Sequence, residues 1–292
     1  MTMPKILVQL DTDLQPSVFD SVVAVDSGVE GLEHLLRHGG VQVAQVRDLV
    51  YGAMFTRGAD DLGDTAIFIG GSDVSAGEAI LAQVEKTFFG SIRVSVMLDS
   101  NGANTTAAAA VLTAAKHGSL EGSDALVLAA TGPVGSRVVR LLAREGSRVR
   151  VGSRSRARAE AVCQAVAART SGVEVTAIET TSPAQMAAAL ETAQILIAAG
   201  APGVELVSRA ARAKSRSLRV AIDLSAVPPL GLAGVDVTDG GVERDGMTCY
   251  GAFGVGKTKM KIHKAAIRQL FEANDQVLDA EEIFRIGQQI AV

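Results

Sequence analysis

The chain has 292 residues, 48% of them hydrophobic, and its formal net charge is −4 at pH 7. This length and apolar content are sufficient for two buried cores, and the negative charge argues against a nucleic-acid or acidic-membrane surface. The two cysteines form no CxxC pattern, and no apolar stretch reaches the roughly 18 residues of a membrane span. We therefore expect a soluble cytoplasmic protein that uses neither nucleic acid nor a membrane as a partner.

Short β-rich runs alternate with helical runs, which is typical of a parallel sheet covered by helices. The predicted strands are residues 6–10, 41–46, 66–69, 94–98, 125–129, 149–151, 173–177, 195–199 and 220–222. The predicted helices are residues 17–25, 75–88, 157–169, 183–190, 263–273 and 280–290. Ser182 and Pro183 form a good helix start, because serine caps the first turn and proline suits the first helical position. The sequence predicts an α/β protein with two domains, residues 1–105 with 258–292 and residues 106–257.

The strongest local signal follows the predicted strand 125–129. There the chain reads Ala130-Thr131-Gly132-Pro133-Val134-Gly135 and continues into a helical run. A buried strand, a tight glycine turn and a helix N-terminus form an anion site, because free backbone N–H groups and the helix dipole face the same point. Against the dinucleotide pattern GxGxxG, Ala130 takes the first position and the two glycines take the others. We predict a Rossmann-type domain in which Thr131 to Gly135 hold the pyrophosphate; a tight turn without a ligand is the alternative.

The end of the next strand indicates which dinucleotide binds. Enzymes that use NAD place a carboxylate there to hold the ribose hydroxyls. Residues 152–158 read GSRSRAR instead and contain no carboxylate. A guanidinium matches a 2′-phosphate in charge and geometry, and three arginines beside a helix start are unfavourable unless an anion binds. We predict NADP as the cofactor, held by Ser153, Arg154 and Arg158, with NAD as the less favoured cofactor and a basic, solvated loop as the alternative.

Less general motifs surround this loop. They are QLDTD at 9–13, PSVFD at 16–20, FTRG at 55–58, IFIGG at 67–71, MLDSNGANTTAA at 97–108, VPPLG at 227–231 and GAFGVGKTKMKIH at 251–263. In this order they resemble the NADP-dependent methylene-tetrahydromethanopterin/methylene-tetrahydrofolate dehydrogenases of methylotrophic bacteria, over essentially the whole chain. The sequence departs from that family at Ala130, where glycine is common, and at Lys257, where a small residue is usual.

The resemblance implies that a 5,10-methylene tetrahydropterin is oxidised to the 5,10-methenyl cation while NADP is reduced. It implies a Rossmann-type NADP domain at 106–257 inserted in an α/β pterin-binding domain at 1–105 and 258–292, with a cleft between them. A homo-oligomer, based on a trimer, is also implied. Whether tetrahydromethanopterin, tetrahydrofolate or both are used stays open.

The implied reaction requires little acid–base chemistry. Hydride leaves a carbon flanked by two nitrogens, and the pterin stabilises the resulting cation, so no general base is required. The protein must align the two reactants and exclude water. We find no catalytic triad and no metal-ligand pattern; His34 and His38 lack the glutamate of HExxH and are interpreted as part of a solvated helix face.

Candidate substrate residues follow predicted strands, because ligands of open α/β sheets bind at the carboxyl ends of strands. They are Asp11 and Asp13 after the first strand, and Asp99, Asn101 and Asn104 after the strand at 94–98. By resemblance, Asp20 and Lys259 also face the cleft. We predict Asp20, Asp99 and Lys259 as the catalytic, orienting groups, with Lys259 contacting the pterin near the reacting carbon.

Each of these residues has a structural alternative. Asp11 and Asp13 also fit as caps of the turn before Ser17, and one of Asn101 and Asn104 fits as a helix cap. Lys259 lies in an alternation with Lys257 and Lys261 that is typical of a solvated strand face.

Further cofactor contacts are predicted where two strands of the nucleotide domain end. Ala199 and Gly200 follow one strand, and Ser225 follows the next. Val255 completes the predicted set. The competing interpretations are another two-domain NADP-dependent dehydrogenase, of the shikimate or glutamyl-tRNA reductase type, and a non-catalytic NADP-binding protein.

Overall fold

The computed structural model describes residues 3–290. The chain divides into two compact units. Unit 1 contains the described residues up to Thr105 together with those from Met260 onward, and unit 2 is Thr106–Lys259. No helix within residues 3–290 is both long and apolar enough to cross a membrane.

The strands alternate with helices along most of the chain. In chain order the strands are β1 (Lys5–Asp11), β2 (Leu32–His38), β3 (Thr65–Gly70), β4 (Ser95–Leu98), β5 (Asp124–Leu128), β6 (Arg148–Ser153), β7 (Val175–Glu179), β8 (Ile195–Ala198), β9 (Val220–Asp223), β10 (Gly240–Arg244), β11 (Met247–Tyr250) and β12 (Val277–Leu278). The helices are α1 (Val18–Val25), α2 (Val43–Phe55), α3 (Val74–Thr87), α4 (Ala103–Ala115), α5 (Pro133–Arg144), α6 (Arg156–Arg169), α7 (Pro183–Leu190), α8 (Arg209–Arg212), α9 (Ala252–Gln269) and α10 (Ala280–Gln289). Short 3₁₀ helices at Ala59–Asp64 and Ser100–Gly102 precede β3 and α4.

Unit 1 is a parallel sheet in the order β12-β4-β3-β1-β2. Val46 and Val50 on α2 and Ile80 and Val84 on α3 are spaced four residues apart, so each pair faces the sheet, and all four are fully buried. Strand β1 lies between β2 and β3, so the chain passes from β1 to β2 on one side and then crosses to β3 on the other. In sheets of this order that switch point, between β1 and β3, is where ligands bind.

Unit 2 is a sheet in the order β10-β11-β9-β8-β5-β6-β7, in which β10 is antiparallel to β11 and the other pairs are parallel. From β7 to β11 this is the strand order of dinucleotide-binding proteins, whose switch point lies between β5 and β8. Residues Leu126, Leu196 and Ala221 on the central strands are fully buried against α7 and the neighbouring loops. The predicted α/β class with a Rossmann-type sheet is confirmed.

The predicted strand at 41–46 is wrong, because this segment leads into α2 and the second strand is β2. The segment suggested a strand because it is rich in valine, whose β-branched side chain favours strands. Helical spacing is nevertheless present, at Val43, Val46 and Val50. Strand β2 reads LEHLLRH and stays partly or fully exposed at the sheet edge, so it has no apolar alternation. His34 and His38 therefore lie on an edge strand, and their assignment to a helix face is also wrong.

The helix predicted at 263–273 begins at Ala252 and ends at Gln269. Its early start was missed because glycines disfavour helix interiors. Gly254 is required there, since a Cβ atom would clash with the main-chain oxygen of Asp239. Lys257, Lys259 and Lys261 lie on this helix, so the strand-face interpretation of their alternation is wrong.

Candidate functional site

The turn from β5 into α5 has the geometry of an anion site. The Ala130 N–H donates to the oxygen of Gly152 over 3.1 Å, and Gly132 is the N-cap of α5 without a capping side chain. Pro133 occupies the first helical position, where its missing N–H costs nothing. The helix N-terminus therefore lies at the carboxyl end of β5, beside the switch point, with backbone N–H groups available to a phosphate.

Two glycines allow the close packing behind this turn. A Cβ atom at Gly135 would lie 2.7 Å from the oxygen of Ala129 and 2.8 Å from the Cα of Ala130. At Gly152, on β6, a Cβ atom would lie 2.9 Å from the oxygen of Val127. All three of these atoms belong to the backbone and cannot move aside at low energetic cost. Helix α5 and strand β6 therefore approach β5 as closely as a dinucleotide fold requires.

Ala129 adopts a left-handed backbone conformation with φ of 52°. This conformation destabilises the folded state of a non-glycine residue by about 1 kcal/mol or more. A glycine avoids this strain but lowers the free energy of unfolding by about 0.4–1 kcal/mol, because it gives the unfolded chain more conformational entropy. We expect Ala129→Gly to raise the free energy of unfolding by about 0.5–1 kcal/mol, measured by calorimetry. Ala130→Gly is the matched control, because Ala130 is fully buried and its φ is not positive, and it should lower stability. Equal losses in both variants would contradict the strain at Ala129.

A cavity of about 280 Å³ opens beside this turn within unit 2. It is lined by Leu128, Ala129, Thr131, Ser153, Arg154, Thr180, Thr181, Met186, Val204, Glu205 and Leu206. The loop residue Thr131 and the strand-end residues Ser153 and Arg154 were predicted cofactor contacts. The turn between β5 and α5, here called the phosphate turn, therefore lines the same cavity as Arg154 after β6.

Several lining residues were not predicted. Thr180 and Thr181 follow β7, Met186 lies on α7, and residues 204–206 follow β8. The signal that could have found the two threonines is their place directly after a strand, which is the rule that selected Ser153. Nothing local marks residues 204–206, because only the fold brings them to the cavity.

The other predicted cofactor residues lie elsewhere in unit 2. Arg158 is exposed on α6, where its N–H donates to the Ser155 hydroxyl. Ala199 and Gly200 follow β8 at the switch point, and the Ala199 N–H donates to the oxygen of Leu128. Ser225 and Val255 are buried, and the Ser225 hydroxyl donates to the oxygen of Val227.

In unit 1, Asp11 and Asp13 brace the loops at the β1/β3 switch point. The fully buried Asp11 carboxylate accepts the N–H groups of Asp13 and Ser17, each over 2.9 Å. The Asp13 carboxylate accepts the N–H group and the hydroxyl of Ser72 over 2.9 and 2.7 Å. The Asp11 bonds support the alternative that this residue caps the turn before Ser17. The Asp13 carboxylate instead holds the loop after β3 through Ser72.

Asp99 caps helix α4. Its carboxylate accepts the N–H groups of Asn104 and Thr105, each over 3.0 Å, and the Thr105 hydroxyl over 2.6 Å. The expected cap at Asn101 or Asn104 is therefore wrong: Asn101 has a φ of 54°, and the Asn104 amide donates to Leu98 and Asp279. The capping carboxylate comes one turn earlier, directly at the strand end.

Unit 1 contains a buried histidine beside Asp99 that sequence reasoning missed. His263 is fully buried, its ring stacks on Phe68 with 5.7 Å between centroids, and its Nδ1 lies 3.9 Å from Asp99. A Cβ atom on Gly70 would lie 3.2 Å from an Asp11 oxygen and 3.4 Å from an Asp20 oxygen. This edge of unit 1 is therefore acidic and partly aromatic. Lys259 belongs to the part of α9 in unit 2.

Buried Asp223 ends β9 in unit 2. Its carboxylate accepts the N–H groups of Ser225 over 3.0 Å and Leu232 over 2.7 Å. Burial raises the pKa of this carboxyl, although its backbone hydrogen bonds act in the opposite direction. The two hydrogen bonds make Asp223 an anchor of the loop that follows β9.

Comparisons with known proteins agree on one family. The model of the methylene-tetrahydromethanopterin dehydrogenase N-terminal domain matches residues 18–101. The bifunctional protein MdtA of Methylorubrum extorquens is 45% identical over 289 residues, covering 98% of this chain and 99% of the relative. The NAD(P)-dependent methylenetetrahydromethanopterin dehydrogenase of the same organism is 29% identical over 285 residues, covering 94% and 95%.

Solved structures share the fold at low identity. The ligand-free 5-ketofructose reductase of Gluconobacter sp. strain CHM43 matches with a TM-score of 0.54 and 13% identity, covering 99% of each chain. The shikimate 5-dehydrogenase of Listeria monocytogenes matches with a TM-score of 0.53 and 13% identity, covering 97% of this chain and 96% of that one. At this identity the likeness concerns the fold alone.

Proposed function

The chain belongs to the methylene-tetrahydromethanopterin dehydrogenase family, and from this premise we propose that it oxidises 5,10-methylene-tetrahydromethanopterin to the methenyl form by hydride transfer to NADP. Membership makes it an NAD(P)-dependent oxidoreductase of one-carbon metabolism. Methylene-tetrahydrofolate is the second candidate substrate, and the 45% identical relative, a bifunctional protein, favours testing both.

The observation that carries the cofactor assignment is the strand order of unit 2 with the Ala129–Gly135 turn at its switch point. The residues there fit a dinucleotide. The N-terminus of α5 has no capping side chain, Gly135 permits close helix packing, and the adjoining cavity holds Arg154. A dinucleotide supplies the phosphates that such a helix terminus and arginine neutralise.

NADP, when bound, supplies the hydride acceptor. The chain contributes binding and orientation: backbone N–H groups of the α5 start hold the pyrophosphate, and Ser153 and Arg154 hold the 2′-phosphate. No residue has to remove a proton, because the substrate loses only a hydride. The rate enhancement then comes from aligning two bound reactants, which contributes up to about 7–11 kcal/mol in favourable cases.

We propose that the pterin binds at the acidic edge of unit 1. Oxidation places a positive charge on the carbon between two pterin nitrogens, and a nearby carboxylate stabilises such a charge. Asp20, beside Gly70 at the end of β3, is the proposed stabilising group. Lys259 is proposed to contact the pterin near the reacting carbon, and Asp11 and Asp99 to shape this edge through their backbone contacts.

A spectrophotometric assay tests the activity. Purified protein is given methylene-tetrahydromethanopterin or methylene-tetrahydrofolate, each with NADP or NAD, and NADPH or NADH formation is followed. We expect turnover with methylene-tetrahydromethanopterin and NADP. If the protein binds NADPH but oxidises neither pterin, the dehydrogenase assignment is wrong and the non-catalytic alternative is favoured.

The NADP preference depends on Arg154. Removing a charge-assisted hydrogen bond to the 2′-phosphate costs about 1.5–3 kcal/mol, which is roughly a 10- to 100-fold loss in kcat/KM for NADP. We expect Arg154→Ala to show this loss with NADP and almost none with NAD. Arg156→Ala is the matched control, because this exposed arginine pairs with Glu160 and is not among the cavity residues. Equal losses with both cofactors in Arg154→Ala would refute the 2′-phosphate assignment.

We also propose a homo-oligomer, based on a trimer. Val18, Val22 and Val25 on α1 are 68%, 52% and 68% exposed, and their spacing places them on one helix face. Exposed apolar patches of this kind mark interaction sites. Analytical ultracentrifugation tests the proposal, and a monomer at micromolar concentration would contradict it.

A further inference from the structure

Asp223 fixes both ends of one loop in unit 2. Its two carboxylate oxygens accept the N–H groups of Ser225 and Leu232, which lie near the start and the end of the loop at 225–232. The side chain is fully buried. Losing one of these acceptors would leave a buried N–H group without a partner, and such groups destabilise a fold.

The same loop supports the segment that follows β8. The oxygen of Gly231 accepts the N–H groups of Leu206 and Val207 over 2.8 and 3.1 Å. The Gly203 N–H donates to the oxygen of Val227 over 3.1 Å. Residues 203–207 are therefore held to the loop at 225–232 by main-chain bonds at both of their ends.

This supported segment forms part of the cavity wall. Val204, Glu205 and Leu206 line the same cavity as Ser153 and Arg154. A shift of the loop at 225–232 would be carried to this wall through the Gly231 bonds, because packed and hydrogen-bonded segments move together. Asp223 itself does not line the cavity.

We propose that Asp223 is a positioning residue for the cofactor: its carboxylate holds the loop at 225–232, and this loop sets the position of the 203–207 wall against bound NADP. This rests on the NADP assignment made above. Asp223 acts on binding and takes no part in hydride transfer. Its loss raises KM for NADP while kcat at saturating cofactor stays nearly unchanged.

The first test is Asp223→Asn, which keeps the size of the side chain but replaces one acceptor oxygen with an NH₂ group. Steady-state kinetics with the pterin substrate give kcat and KM for NADP, and a fluorescence titration gives Kd for NADPH. We expect KM and Kd to rise about tenfold, the equivalent of about 1.4 kcal/mol, with kcat within about twofold. A stable variant with unchanged Kd and KM would overturn the proposal.

Gly231→Ala is the second variant, for the case in which Asp223→Asn does not fold. A Cβ atom at Gly231 would lie 3.0 Å from an Asp223 oxygen, so the added methyl displaces the carboxylate only slightly. A rise of a few-fold in Kd for NADPH supports the proposal, and an unchanged Kd overturns it. This variant keeps the full chain and every hydrogen-bonding group.

Asp124→Asn is the matched control. Asp124 pairs with Arg148 at the start of β5, at the opposite end of the strand from the phosphate turn. Its loss should affect stability without changing Kd for NADPH, and an equal rise in Kd would overturn a specific role for Asp223. The wild-type protein separates the two hypotheses: if it neither binds NADPH nor oxidises a pterin, the proposed function itself has failed.

Discussion

Gly135→Ala should reduce NADP affinity by about 100-fold, because the added methyl group displaces the helix N-terminus proposed to bind the pyrophosphate. The added Cβ atom would lie 2.7 Å from the oxygen of Ala129 and 2.8 Å from the Cα of Ala130. Both contacts are with backbone, so either the start of α5 must shift or the turn must open. Each change moves the N–H groups proposed to bind the pyrophosphate. A fluorescence titration with NADPH measures the effect.

The control for this variant is Gly52→Ala on α2, where a Cβ atom meets nothing within 4 Å. It should leave NADPH binding unchanged and slightly increase stability, because alanine favours a helix. Circular dichroism checks that both variants are folded. Unchanged NADPH binding by a folded Gly135→Ala variant would show that the turn tolerates a side chain and would remove support for the phosphate site.

Lys259→Met should lower kcat by about 100-fold while leaving NADPH binding within about twofold. The reason is the proposed contact of this ammonium group with the pterin near the reacting carbon, which orients the substrate for hydride transfer. Methionine keeps the approximate length and apolar stem of the side chain and removes the ammonium group with its charge and its hydrogen-bond donors. Steady-state kinetics at saturating NADP, together with an NADPH titration, separate the two effects.

Lys257→Met provides the comparison on the same helix, two residues earlier, where the side chain is exposed. We expect it to retain most of the wild-type kcat. If both lysine variants lose the same fraction of kcat, the loss results from the lower positive charge of the helix and not from a lost pterin contact. If Lys259→Met loses NADPH binding in parallel with kcat, its role is cofactor binding.

The sequence predicted the central strands of unit 2 well, because β5, β8 and β9 are covered on both faces and read as continuous apolar runs. The two wrong predictions concern elements that lack such an apolar run. Strand β2 lies at a sheet edge and is largely polar, while the start of α9 contains glycines required by packing. The exposure of an edge strand and the close packing of a glycine both depend on residues far away in the sequence. The local periodicity of apolar residues therefore does not predict them.

The same distinction applies to the candidate site. The phosphate turn is a local feature of consecutive residues and could be predicted from them. His263 reaches Phe68 only through the sheet order, and residues 204–206 reach Arg154 only through the loops. Asp99 was identified as a strand-end residue, but its role as the cap of α4 depends on hydrogen bonds that spacing alone did not assign.

The two-segment construction of unit 1 has a consequence for synthesis on the ribosome. Strand β4 receives its second neighbour, β12, only from the C-terminal segment, and the Ser95 hydroxyl is bonded to the oxygen of Ala273. Residues 106–259 are translated in between, which takes about 8–30 s at roughly 5–20 residues per second. During that interval β4 has an open edge while all of unit 2 emerges. Unit 2 can therefore complete its fold first, and unit 1, although it begins the chain, completes its fold last.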